Sequence, residues 1–96
     1  MVKVAANMYV KQENVDDFLK IASQLVEKTN KLDEGCNKYE LCRDKGDALH
    51  FMMLEEWIDQ NSLDKHMNSE HFKTLIPKMD GYRSQPSVLT MLEKVF

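Results

Sequence analysis

The chain has 96 residues, 43% of them hydrophobic and 30% charged, with a formal net charge of −3, which describes one ordinary folded domain rather than a disordered segment. The acidic balance removes any electrostatic reason to expect nucleic acid or an anionic membrane as partner. No apolar run approaches the roughly 20 residues a membrane-crossing helix needs.

The opening MVKVAANMYV lacks the long apolar core of a signal peptide, so a cytosolic setting is expected. It alternates instead: Val2, Val4, Ala6, Met8 and Val10 against Lys3, Ala5, Asn7 and Tyr9. Period two with β-branched residues predicts a strand. After KQEN, with Asn14 placed to cap, apolar residues recur as Val15, Phe18, Leu19, Ala22, Leu25, Val26, Thr29 and Leu32. That spacing predicts an amphipathic helix, with Asp16 and Asp17 in the first turn where the helix dipole favours anions. Gly35 in DEGCN is the expected stop.

KYELCRD, the turn DKGD and ALHFMMLEEW then predict a hairpin. A helix starting near Asp59 carries Leu63, His66 and Met67 on one stripe. Asn68 and Ser69 are placed to cap a further helical turn bearing Phe72, Leu75, Ile76 and Met79, which Pro77 should kink or end. DGYRSQP is a loop, and PSVLTMLEKVF a last strand. The order is that of the α+β, ferredoxin-like β-α-β-β-α-β pattern: one domain over residues 1–96, an antiparallel sheet with helices on one face.

Both faces of the third and last strands are apolar: His50, Met52 and Leu54 alternate with Leu49, Phe51, Met53 and Trp57, and Val88, Thr90 and Leu92 with Leu89, Met91 and Val95. Helices can cover only one face, and a face left to water should be polar. A homodimer packing sheet against sheet is therefore expected.

Among candidate chemical groups, Cys36 and Cys42 read as free thiols, because their spacing matches neither a disulfide framework nor a zinc pattern. Three glycines leave no room for a nucleotide loop. His66 and His71 are five apart and on one continuous helix would point about 140° from each other, unlike a chelating i, i+4 pair; the capping residues between them also argue for a break, and no metal is expected. His66 shares a stripe with Leu63 and Met67, so its ring should face the sheet, either as a satisfied core histidine or as a base that titrates near neutrality. Asn7 is out of place in mid-strand and asks for a partner or a ligand. Trp57 reads as core, His71 as a helix-start or interface residue, and the seven methionines as adaptable filler that also suits a pocket for a flat apolar ligand.

DEGCNKYEL, FMMLEEW and LDKHMNSEHF together resemble the antibiotic biosynthesis monooxygenase domain family, whose pattern is acid-x-Gly-Cys-x-x-Tyr-x-Leu, then Glu-x-Trp, then His-x-x-Ser-x-His-Phe. The resemblance spans essentially the whole chain and implies a dimeric α+β barrel of ferredoxin-like subunits. It also implies a monooxygenase acting on a small aromatic, phenolic or quinol substrate without flavin, haem or metal. By the same resemblance His66 is the base, Asn7 orients the substrate oxygen, and Trp57, with Phe51 and Met53, walls the pocket. Arg83 matches the family poorly. Related barrels that degrade haem have a histidine ligand where this chain has Ile76, which speaks against haem. The alternatives are a non-catalytic small-molecule-binding dimer and an isomerase of a small signalling metabolite.

Overall fold

A computed structural model describes the whole chain, Met1–Phe96. In chain order it contains strand β1 (Val2–Tyr9), helix α1 (Val15–Leu32), strands β2 (Cys36–Arg43) and β3 (His50–Trp57), helices α2 (Gln60–Met67) and α3 (Glu70–Asp80), and strand β4 (Val88–Glu93). The strands form one antiparallel sheet in the order β2-β3-β1-β4. This is the expected ferredoxin-like α+β fold.

Each element follows from local chemistry. Alternation sends Val4 and Met8 of β1 and Phe51, Met53, Glu55 and Trp57 of β3 to the helix side, where all six are buried. Phe18, Ala22, Leu25 and Thr29 form the buried stripe of α1, and Leu75 and Met79 that of α3. Aromatic anchors hold the centre: Phe18 packs on Phe51 with ring centroids 5.1 Å apart, and Trp57 is fully buried. Truncating such a side chain to alanine costs about 3–5 kcal/mol.

The predicted helix ends are of three kinds. Asp59 caps α2 by accepting from the Ser62 amide at 2.8 Å, and Ser69 caps α3 by accepting from the Phe72 amide at 3.2 Å. Asn14 precedes α1 but makes no side-chain cap there, because a single 3-10 turn over Gln12–Asn14 leads into the helix. Pro77 does not end α3, which runs three residues further to Asp80. Pro77 and Lys73 are exposed, so water can take the Lys73 carbonyl that the proline leaves without an N–H, while Leu75 and Met79 keep the stripe on the sheet.

Gly35 has φ 77°, and a Cβ there would run into the Ser62 side chain and Ile58. That glycine lets the start of β2 pass close beneath α2. The hairpin strand begins at His50 rather than Ala48, since Asp47 accepts hydrogen bonds from the backbone N–H groups of both Leu49 and His50 and closes the turn. β4, at the sheet edge, is exposed along its whole length, with Val88, Leu89, Met91 and Leu92 each about half exposed. No helix is long and apolar enough to cross a membrane.

Candidate functional site

Between the helix side of the sheet and the inner faces of α1 and α3 lies a cavity of about 240 Å³. Its walls are mostly apolar: Met8, Met53, Met79, Phe18, Phe72 and Ile76 line it, with Ala6 and Leu89 from the β1–β4 side. Five polar side chains reach it: Glu55 and Tyr39 from adjacent strands, Asp80 from the end of α3, and Arg83 and Ser87 from the loop before β4.

Glu55 lies in the buried phase of β3, between Met53 and Trp57, and only 8% of it is exposed. The strand leaves it no choice of face, so a carboxyl enters an apolar layer. The Trp57 indole N–H donates to Glu55 Oε1 at 3.0 Å. Burial penalises the charged carboxylate and raises the pKa to about 7, and the indole hydrogen bond offsets only part of that. A carboxyl that exchanges its proton near neutrality in an apolar pocket has the form of a general acid or base. Tyr39 pairs with Glu55 across β2 and β3. Its phenol is pushed up by burial first and by Glu55 second, so it keeps its proton and remains a donor.

Arg83 is held by the bridge Val10↔Arg83 and by its own neighbours, Asp80 Oδ1 at 3.4 Å and the Ser87 hydroxyl at 3.3 Å. Asp80 also lines the cavity, so this end presents an ion pair whose guanidinium has further N–H donors for a polar ligand group.

The residues expected from the sequence separate into two groups. Met53 lines the cavity, Phe51 lies behind it in the core, and Trp57 serves the cavity through Glu55. Asn7 and His66 are not brought together within the protomer. Asn7 occupies the opposite phase of β1, on the face away from the helices, where its Oδ1 meets His50 Nε2 at 2.8 Å. His50 Nδ1 is in turn 2.9 Å from Asp44 Oδ2, and the Tyr9 ring stacks on the imidazole at 4.4 Å. The partner that a mid-strand asparagine demands is thus a protein side chain.

His66 does face the sheet, buried beneath the aromatic rings of Tyr39, Trp57 and Phe72. Its Nδ1 lies 2.6 Å from Asp33 Oδ2, and its Nε2 is buried with no partner. Burial first, against the opposing pull of Asp33, holds its pKa below the ordinary imidazole value. His66 is not among the cavity-lining residues. His71 also reaches Asp33 Oδ2, at 3.0 Å.

Glu55 and Tyr39 were not singled out by sequence reasoning, and Arg83 was set aside for its poor match to the family. For Glu55 the signal was present: it shares the alternation phase of Phe51, Met53 and Trp57, and an acid in that phase must be buried.

Comparison with known proteins places these observations. The antibiotic biosynthesis monooxygenase family profile matches residues 1–78. A Bacillus subtilis (strain 168) protein, YcnE, provisionally named a monooxygenase, is 31% identical over 86 residues, which is 90% of each chain. The crystal structure of an antibiotic biosynthesis monooxygenase is 36% identical, with a TM-score of 0.93 over 99% of both chains. A conserved protein from Methanosarcina mazei Go1 is 33% identical, with a TM-score of 0.94 over 97% of this chain and 91% of that one. With the family profile, the fold and these relatives in agreement, the chain belongs to the antibiotic biosynthesis monooxygenase family.

Proposed function

We propose that the protein is a monooxygenase that binds a small phenolic or quinol-like aromatic in the cavity under its helices and uses Glu55 as the base. The observation that carries this reading is a buried carboxyl, Glu55, with a pKa of about 7, in a mostly apolar cavity of about 240 Å³ whose other carboxyl, Asp80, is paired with Arg83. A cavity of about 150 Å³ holds benzene, and drug-sized ligands occupy about 300–1,000 Å³, so the volume suits one or two fused rings.

The chemistry balances without an added reductant. Glu55 takes one proton from an activated CH₂ carbon of the phenolic substrate, and the ring and its oxygen share the negative charge left on that carbon. This carbon passes electrons to dioxygen and bonds to it. The peroxide anion recovers a proton from Glu55, and loss of water from the hydroperoxide leaves a carbonyl. One oxygen atom enters the product, one leaves as water, and the substrate supplies the electrons. Tyr39, kept protonated, supports the oxyanion; the apolar walls of Met8, Met53 and Met79 keep competing water out. Glu55 takes the role that the sequence suggested for His66, since His66 Nε2 is enclosed by aromatic rings rather than exposed to the cavity.

A homodimer belongs to the same proposal. β4 exposes apolar side chains on both faces, and Leu89 joins the cavity wall from that strand, so a second copy over the open face would exclude solvent at that edge. The free thiols Cys36 and Cys42 agree with a reducing, cytosolic setting.

The test is oxygen uptake with reduced quinones and anthrone-type phenols. Wild type should consume oxygen faster than buffer, and Glu55→Gln should lower the rate by about 10²–10⁴-fold. Equal rates for wild type, Glu55→Gln and buffer would leave only a binding role for the cavity.

A further inference from the structure

Behind the cavity wall, three side chains from three elements converge. Asp33 closes α1, His66 is in the last turn of α2, and His71 is in the first turn of α3. His66 Nδ1 and His71 Nε2 lie 2.6 Å and 3.0 Å from the same oxygen, Asp33 Oδ2, and the candidate ligand atoms of the three residues lie within 4.8 Å of one another. Their side chains are 1% (His66), 9% (His71) and 10% (Asp33) exposed. An open recess of about 320 Å³ lies beside them, lined by Asp33, Ser62, Lys65 and His66 among others.

We propose that Asp33, His66 and His71 form a binding site for a divalent first-row transition ion of the zinc class, with water from the recess as a further ligand. Two imidazole nitrogens and one carboxylate oxygen are the donor set of open zinc sites. Tetrahedral coordination at zinc–ligand distances of about 2.0–2.1 Å separates ligand atoms by roughly 3.3 Å. The observed 2.6 Å and 3.0 Å therefore need to open by about 0.7 Å and 0.3 Å, and no two of the three ligand atoms are more than 4.8 Å apart.

The break at Asn68–Ser69 makes this possible. On an unbroken helix the two histidines would diverge; here Ser69 starts a new helix and turns His71 back toward His66, with ring centroids 6.0 Å apart. Both imidazoles reach the same carboxylate oxygen, which gathers the three ligand atoms within 4.8 Å of one another.

The site also sets its own limit. A ligating histidine usually donates its other N–H to an acceptor, and His66 Nε2 has none. Binding is accordingly expected in the micromolar range, weaker than in closed structural zinc sites. Because the His66 ring lies 5.0 Å from both Tyr39 and Phe72, which line the cavity, a bound ion would brace that wall.

The experiment uses the full chain stripped with chelator, then titrated with Co²⁺ and with Zn²⁺. One Co²⁺ per chain should bind with the strong visible absorption of four- or five-coordinate cobalt, and Zn²⁺ should displace it and raise Tm. His71→Gln is the deciding variant: its amide N–H can still donate to Asp33, but it offers no imidazole lone pair. It should fold, as judged by circular dichroism, and lose at least tenfold in affinity. Asp33→Asn should lose as much, and His50→Ala, on the opposite face of the sheet, should bind as wild type does. Absence of stoichiometric binding at sub-millimolar free ion would overturn the site, as would unchanged affinity in His71→Gln. The three residues would then act as a hydrogen-bonded staple only.

Discussion

At the scale of single residues, Glu55 sets function against stability. Its pKa rises from the usual 4.5 to about 7 because burial disfavours the charge. The folded state therefore holds that proton more tightly than the unfolded chain does. By linkage, the contribution is most favourable below pH 4.5 and is lost as pH rises to about 7. The loss approaches roughly 3 kcal/mol if the full shift is expressed. His66 acts with the opposite sign: with its folded pKa depressed below 6.5, stability falls as pH drops below that value. Glu55→Gln keeps an acceptor for the Trp57 indole and removes the charge, so Tm should rise at pH 8 and change little at pH 5. Thermal melts of both proteins across that range measure it; equal Tm differences at the two pH values would show that Glu55 is not titrating in the folded state. In wild type the oxygenation rate should rise with pH around 7, as the base form appears.

Residue-level legibility was uneven. Asn7 was marked by its poor fit to a strand, and the structure supplies His50 as the partner it required. That the two residues meet follows from β3 pairing with β1, Tyr9 facing His50 in register, which no local pattern in either strand reveals. Glu55 was legible by phase but sat inside a motif that drew the eye to Trp57. The convergence of His66 and His71 on Asp33 depends on how a helix break turns the chain in three dimensions, and spacing along the sequence carries no such information.

At the scale of elements, the recess and the helix junction depend on a few cheap local devices. Ser69 accepts from the Phe72 amide and also donates to the His66 carbonyl at 2.6 Å, so it joins α2 to α3. Ser69→Ala should cost about 1 kcal/mol, as cap losses do, and it should loosen His71. Gly35→Ala should cost more, since a left-handed φ disfavours alanine by about 1 kcal/mol before the contact with Ser62 is counted. Urea denaturation of the two variants gives both values; a neutral Gly35→Ala would mean that α2 shifts freely to make room. These elements were legible because caps and stripes are local: Asp59, Ser69 and the α1 stripe fall where their chemistry predicts, whereas α1 ends at Leu32 and Gly35 serves the turn into β2. Pro77 was not, because whether a proline ends a helix is decided by packing on either side of it, here Leu75 and Met79 against the core.

At the scale of the whole molecule, one face of the sheet is roofed by helices and the other is not. β4 is the edge strand next to β1, and Val88 and Leu92 project from the unroofed face while Leu89 and Met91 project toward the helix side. An exposed apolar edge strand invites pairing with another chain. Leu92→Glu should therefore convert a dimer to a monomer in sedimentation experiments, with the monomer retaining its secondary structure and losing oxygen uptake. Wild type sedimenting as a lone protomer at micromolar concentration would remove the dimer from the account. The bare apolar face was legible in the two-sided apolarity of β3 and β4, and a pocket bearing Met53 was expected by resemblance; its position was not legible, since it forms where α1, α3 and the sheet fail to meet.

The account as a whole turns on that cavity being where an aromatic ligand sits, and the methionines report on it directly. Of the seven, Met8, Met53 and Met79 line the cavity, while Met52 lies in the opposite phase of β3, on the unroofed face. The measurement is a methionine-methyl NMR spectrum, titrated under nitrogen with a hydroquinone or anthrone-type phenol. The signals of Met8, Met53 and Met79 should shift together and saturably while that of Met52 stays in place. A titration that moves Met52 and leaves the other three unchanged would put the ligand on the wrong side of the sheet and contradict the assignment of the site.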